Sequence, residues 1–247
     1  MATKHPFRKK WGQNFLKDPN VITKIIKCIE PNNKDMILEI GPGDGALTDQ
    51  LYKKVHHIHG VEIDPYLIKH LTKKQYPNVS LYEADILEWD FGALSEDIKI
   101  IGNLPYYISS PILFRLLGIQ SWKKMVLMFQ KEVAQRIISQ PGKKSYSRLS
   151  IICQVYTNVN IEFTIPRSVF YPKPNVDSTI VTFIPIENNL PEIGPFSEFI
   201  KQSFSQRRKK LKNNLPRFHE LGLLNKWANM RPEELSPIEY IKLFQRI

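Results

Sequence analysis

Between residues 36 and 139, short apolar runs alternate with amphipathic stretches, and that alternation constrains the fold of this chain more than any other feature. The runs at 36–40, 57–63, 79–84, 98–102 and 124–130 have the length and the Ile, Leu, Val and Met content of buried strands. Helical spacing is expected from the cap Asp18 to about residue 30, then from the glycine-rich turn to about 54, onward from Pro65, and over 109–117 and 131–139. Repeated strand–helix–strand units predict an α/β fold whose mostly parallel, doubly wound sheet is covered on both faces and binds ligands beyond its strand carboxyl ends. Glu39, Gly41, Glu62, Asp85 and Asn103 all fall at or just past such ends.

Beyond Leu149 the pattern is less regular. A helix to about 156 and strands near 160–165 and 178–186 are expected, the last two as a pair closing the sheet edge around a Pro-rich loop at 166–177. Pro185, Pro191 and Pro195 mark a linker, and from Phe196 the chain reads as helical and basic. The expected organisation is a larger α/β domain over 1–188 and a small, basic all-α domain over 189–247.

The first strand ends in Gly41-Pro42-Gly43-Asp44-Gly45. Gly41, Gly43 and Gly45 let backbone approach a ligand closely where a strand turns into a helix. The run Gly41-x-Gly43-x-x-Ala46 also fits a loose dinucleotide fingerprint. Glu62, at the second strand end, is placed to accept both hydroxyls of a ribose, and Asp85, at the third, the amine of an adenine. Up to this point NAD and S-adenosylmethionine fit equally well. Asp64, before Pro65, reads as a helix cap.

The fourth strand separates them. Asn103-Leu104-Pro105-Tyr106 offers two acceptors, the Asn103 side-chain oxygen and the Leu104 carbonyl, for the two N–H groups of a planar exocyclic amine. That nitrogen is a poor nucleophile, because its lone pair is delocalised into the ring. Holding both protons turns the lone pair toward an electrophile. Pro105 stiffens the link, and the Tyr106 ring offers a stacking face. A methyl donor suits this arrangement and hydride transfer does not, so S-adenosylmethionine is the expected cofactor and a dehydrogenase is disfavoured.

Thirty-five Lys and Arg stand against 24 Asp and Glu, a net charge of +11. Seven of the basic residues lie within 201–217, which holds no acid. An excess so clustered points to a nucleic-acid partner, with Arg207, Arg208, Lys209, Lys210 and Lys212 as one contact patch and Arg8, Lys9 and Lys10 as another. Segment 1–14 lacks the apolar core of a secretory signal, and no apolar run approaches the ~20 residues that span a bilayer. Cys28 and Cys153 are far apart within apolar patterns and read as buried thiols. A cytoplasmic monomer without membrane attachment is expected. Of His56, His57 and His59, the last two start a strand and no well-spaced further ligand accompanies them, so no metal is expected.

Four segments, taken together and in order, resemble the ribosomal RNA adenine dimethyltransferases: Gly12-Gln13-Asn14-Phe15-Leu16, Glu39-Ile40-Gly41-Pro42-Gly43, Asn103-Leu104-Pro105-Tyr106, and Phe170-x-Pro172-x-Pro174-x-Val176-Asp177-Ser178. The resemblance covers essentially the whole chain. Phe204-Ser205-Gln206-Arg207-Arg208-Lys209-Lys210-Leu211 and the Val-Asp-Ser ending resemble the small-subunit (KsgA-type) branch. It implies a Rossmann-like class I methyltransferase fold and dimethylation of two adjacent adenines near the 3′ end of small-subunit (16S) rRNA, late in subunit assembly. It further implies that Asn14 and Leu16 cover the cofactor, that Gly41, Glu62, Asp85 and Asn103 contact it, and that Phe170 stacks the target base opposite Tyr106. Two other readings remain: a large-subunit (23S) methyltransferase of the macrolide-resistance type, and a catalytically silent RNA-binding assembly factor.

Overall fold

The computed structural model describes residues 13–94, 97–119, 122–186 and 190–247. In chain order the elements are β1 (Phe15–Leu16), α1 (Pro19–Ile29), β2 (Met36–Ile40), α2 (Thr48–Leu51), β3 (His57–Glu62), α3 (Pro65–Thr72), β4 (Val79–Glu83), β5 (Ile98–Asn103), α4 (Ser109–Leu117) and β6 (Trp122–Gln130). There follow α5 (Lys131–Ile137), α6 (Arg148–Tyr156), β7 (Thr157–Ile165), β8 (Phe170–Tyr171), β9 (Ser178–Pro185), α7 (Ile193–Ser203), α8 (Leu211–Asn214), α9 (Pro216–Glu220) and α10 (Pro237–Phe244).

Seven strands form one sheet in the order β4-β3-β2-β5-β6-β9-β7. The first five are parallel, and β9 runs antiparallel to β6. Strands sandwiched on both faces must be apolar throughout. Ile37, Leu38 and Ile40 of β2, Ile98, Ile100 and Ile101 of β5, and Met125 to Phe129 of β6 are accordingly buried. The strand ends expected from the sequence agree with those observed to within three residues, the largest difference being at the start of β7. The helix after the glycine turn is shorter than expected, a single turn over Thr48–Leu51 rather than a run to about 54.

Register decides where the functional residues meet. Ile40 of β2 lies opposite Val61 of β3 on one side and Gly102 of β5 on the other. The next residue of each strand or turn, Gly41, Glu62 and Asn103, therefore stands in one row at the carboxyl edge. The chain leaves β2 in one direction to β3 and returns on its other side as β5, so this row sits at the switch point of the sheet.

Local chemistry sets the helix starts. Asp18 accepts the N–H groups of Asn20 and Val21 ahead of Pro19, and Asp64 accepts that of Tyr66 ahead of Pro65. Ile25, Ile26 and Ile29 of α1 pack with Ile37, Val126, Ile165, Phe170 and Ile180 in the core of the sheet. A two-residue ladder, unforeseen from the sequence, pairs β1 antiparallel with β8.

The chain divides into two compact units, one from residues up to Lys131 with Asn160–Ile184, the other from Glu132–Val159 with Pro185–Ile247. The last crossing point falls at Ile184/Pro185, against an expected boundary at 188/189, and residues 132–159, which reach into the start of β7, group with the C-terminal segment. The reason lies in α6, where Leu149, Ile151, Ile152, Cys153 and Val155 are all buried and need apolar neighbours around the helix. In the same unit Phe196 packs edge-on against Phe244, the Tyr146 hydroxyl donates to the Leu235 carbonyl (2.9 Å), and the Tyr240 hydroxyl to that of Pro232 (2.8 Å). Among the described residues no helix is long and apolar enough to cross a membrane.

Candidate active site

A cavity opens at the carboxyl edge of the sheet, lined by Asn14, Leu16, Gly41, Gly43, Glu62, Asp85, Asn103, Leu104 and Pro105 among others. Gly41 and Gly43 have φ of +64° and +63°, a conformation that side chains disfavour. A Cβ on Gly43 would meet the Phe15 ring at 3.4 Å, an ordinary contact, so it is the positive φ that calls for glycine there.

Gly45 behaves differently. It does not line the cavity; at φ +93°, a Cβ there would lie 2.8 Å from Lys74 Nζ and 2.9 Å from Leu71 Cδ2. The structure sets it against Leu71 of α3 and Lys74 just beyond, away from the cavity where a cofactor contact was expected. Gly45→Ala should lower stability by about 1–3 kcal/mol, read as a fall in Tm, while the folded fraction keeps its cofactor affinity in calorimetry. A large loss of affinity at unchanged Tm would return Gly45 to the ligand site.

The acids are held by backbone donors. Glu62, 6 % exposed, accepts the Gly43 N–H at Oε2 (3.1 Å) and the Asp64 N–H at Oε1 (3.0 Å). Burial pushes its carboxyl up, and these two N–H groups draw it part of the way back. The two carboxylate oxygens together offer about four acceptor sites, so capacity for a ribose hydroxyl remains beside the backbone N–H groups of Gly43, Ile63 and Asp64. Asp85 Oδ1 accepts the Leu87 N–H (2.9 Å), an arrangement that orients the carboxylate. Glu39, placed by the sequence near a strand end without a contact of its own, is buried, lines the cavity and accepts the Thr48 hydroxyl (2.7 Å). Burial pushes it up to about 7. The signal for it is a lone acid inside the apolar strand β2.

Segment 13–17 crosses the cavity as a strap. Gln13 Nε2 donates to Asp64 Oδ2 (2.8 Å), the Lys17 N–H to the Val169 carbonyl (3.2 Å), and the Lys17 ammonium pairs with Asp44. Asn103 Nδ2 donates to the Asn14 carbonyl (2.8 Å). The Asn103 amide therefore lies at the cavity with its orientation set: nitrogen toward the strap, and Oδ1 without a protein donor among the described residues. Leu104 is buried, and Pro105 (φ −58°, ψ 123°) leads into a short 3₁₀ turn over Tyr106–Ile108. The residues present thus fit an adenosyl cofactor: a bare glycine turn, two acids with spare acceptor capacity, and a strap to cover them.

The expected aromatic pair is placed otherwise. Tyr106 is half-buried, its hydroxyl bonded to Ser178 Oγ at the start of β9, and it does not line the cavity. Burial pushes its phenol up. Phe170 is 4 % exposed and packs in the core with Leu16 and Ile180, so it presents no open ring face in this structure. The β1–β8 ladder is the cause. Leu16 lies opposite Phe170 and Phe15 opposite Tyr171, and strand alternation turns Phe170 inward and Tyr171 out. Tyr107, which no sequence pattern singles out, lines the cavity.

Of the basic patches, Arg8, Lys9 and Lys10 lie outside the described residues. Arg207 is engaged internally: Nη2 donates to the Lys143 carbonyl (3.2 Å), and Nε is 3.9 Å from Glu233. Arg208, Lys209 and Lys210, between α7 and α8, are exposed, and Lys212 is partly so. His57 and His59 bond to Ser80 and Tyr82, and no group of three His, Cys, Asp or Glu side chains gathers among the described residues.

A family model described as ribosomal RNA adenine dimethylase matches residues 4–245. The ribosomal RNA small subunit methyltransferase A of Mycoplasma capricolum is 41% identical over 97% of this chain and 97% of its own length. That of Herminiimonas arsenicoxydans is 39% identical over 99% and 100%. Among solved structures, a dimethyladenosine transferase from Plasmodium falciparum is similar with a TM-score of 0.83 at 29% identity, covering 94% of this chain and 96% of that one. The 23S rRNA methyltransferase ErmE is similar with a TM-score of 0.70 at 25% identity, covering 94% and 99%.

Proposed function

The chain belongs to the ribosomal RNA adenine dimethylase family, and on that footing we propose that it dimethylates two adjacent adenines of small-subunit (16S) rRNA, in a hairpin near the 3′ end, during late assembly of the subunit. S-adenosylmethionine, when bound, supplies a methyl group on a positively charged sulfur. The observation that carries the reading is Asn103: the side chain that suits an exocyclic amine stands in the same row as the glycine turn and Glu62, with Oδ1 left over after Nδ2 is tied to Asn14. The preference for the small subunit over the large rests on the higher identity of the small-subunit relatives.

The work of the chain is mainly positional. The target adenine has to leave its stack, which costs less in a loop than in a duplex. Asn103 Oδ1 and the Leu104 carbonyl then hold its N–H groups, and the buried Leu104 side chain and Pro105 keep that carbonyl from wandering. A cation meeting a neutral amine disperses charge, so orientation and exclusion of water matter more here than a dedicated charge-stabilising group. The strap over 13–17 supplies that exclusion. Mass spectrometry of small-subunit rRNA incubated with the protein and S-adenosylmethionine should reveal two neighbouring dimethyladenines. Unmodified small-subunit rRNA, or methylation of large-subunit rRNA instead, would overturn the reading.

Binding to that RNA should be salt-sensitive. Replacing Arg208, Lys209 and Lys210 by Gln should flatten the slope of log affinity against log salt by roughly 0.7–0.9 for each phosphate that no longer meets a cation. Arg207 is excluded from the set because its guanidinium is already committed to Lys143 and Glu233. An unchanged slope would mark the exposed three as solvated surface.

A further inference from the structure

We propose that Tyr107 is the platform for the nucleotide next to the target, so that one adenine occupies the site while its neighbour stacks at the mouth. The proposal rests on the reading of the protein as an adenine dimethyltransferase, and it assigns the second half of an adjacent-adenine substrate. Tyr107 lines the same cavity as Asn103 and Pro105 but is 61 % exposed. Its ring therefore borders the site and solvent at once, with a face on which a base at the mouth of the cavity can stack.

The 3₁₀ turn explains how two successive tyrosines serve different positions. With three residues per turn, consecutive side chains point about 120° apart. Tyr106 is drawn toward β9 and bonded to Ser178, whereas Tyr107 is left at the opening. Phe170, the other aromatic of the motifs, has its faces covered by the core and cannot fill this place as it stands. Stacking also tolerates any base, which suits a platform that must accept an adenine before and after its own methylation.

The experiment uses the full-length protein, adenosylhomocysteine, and an RNA hairpin carrying the two adenines with 2-aminopurine in place of one. Wild-type protein should quench the 2-aminopurine on binding. Tyr107→Ala should abolish the quench and raise KM for RNA by roughly 5- to 150-fold, the equivalent of one base stacked on an aromatic ring. Its Tm and its calorimetric affinity for S-adenosylmethionine should stay at wild-type values, and Tyr107→Trp should restore both quench and KM. Wild-type quench and KM in Tyr107→Ala would overturn the proposal. So would a weakened cofactor affinity with RNA binding untouched, which would make Tyr107 a cofactor cover. Methylation of small-subunit rRNA by wild type is measured alongside. Its failure removes the dimethyltransferase reading and this proposal together, whereas its success beside an unaffected Tyr107→Ala removes this proposal alone.

Discussion

Asn103→Ala should cut turnover by about 10²- to 10³-fold, the scale seen when one aligned hydrogen-bonding group is removed from an active site. Oδ1 is the acceptor that Ala removes at the amine. Nδ2 is the donor that it removes from the strap, where the Asn14 carbonyl gives up its bond to the amide. The strap keeps the Gln13–Asp64 bond, the Lys17 bond to Val169 and the Lys17–Asp44 pair, so cofactor affinity should fall only a few-fold. Single-turnover methylation of small-subunit rRNA, set beside calorimetric titration of S-adenosylmethionine, separates the two effects. A variant with near-normal turnover would remove Asn103 from the chemistry. One that bound cofactor poorly and kept its rate at saturation would make it a strap residue alone.

Glu62→Ala should reverse that pattern. Two hydrogen bonds from ribose hydroxyls to a charged acceptor account for a loss of roughly 10²- to 10⁴-fold in cofactor affinity. The variant should also melt earlier, because the Gly43 and Asp64 N–H groups lose their shared carboxylate, at about 1–3 kcal/mol for each buried group left unpaired. Glu62→Gln keeps the volume but offers one acceptor oxygen in place of two, so it should fall between Ala and wild type in both Tm and affinity. Cofactor affinity within a few-fold of wild type in the Ala variant would show that the ribose is held elsewhere.

The basic loop and the aromatic residues show where reading a chain locally reaches its end. Strand and helix periods, the glycine turn and the acids past strand ends are all expressed by neighbours in sequence, because they depend on spacing, φ preference and side-chain acceptors. Hence β2 is legible to the residue, and Glu62 and Asp85 are legible as cavity residues. Gly45 looks like Gly41 and Gly43, since a glycine that spares space for a ligand and one that spares space for Lys74 and Leu71 read alike. Arg207 looks like Arg208 for the same reason. Its internal partners, Lys143 and Glu233, come from distant parts of the chain.

The strand and helix pattern, the glycine turn and the run Asn103-Leu104-Pro105-Tyr106 at a strand end are written in the order of residues, because each is expressed within a few positions. Which ring is buried and which is open, how the Asn103 amide is turned, and that residues 132–159 pack with the C-terminal helices are settled by the folded chain alone. Those outcomes depend on pairings such as Leu16 with Phe170, Asn103 with Asn14 and Tyr106 with Ser178. Pairings so far apart in the chain form only when the packed core brings them together, and no local pattern records them.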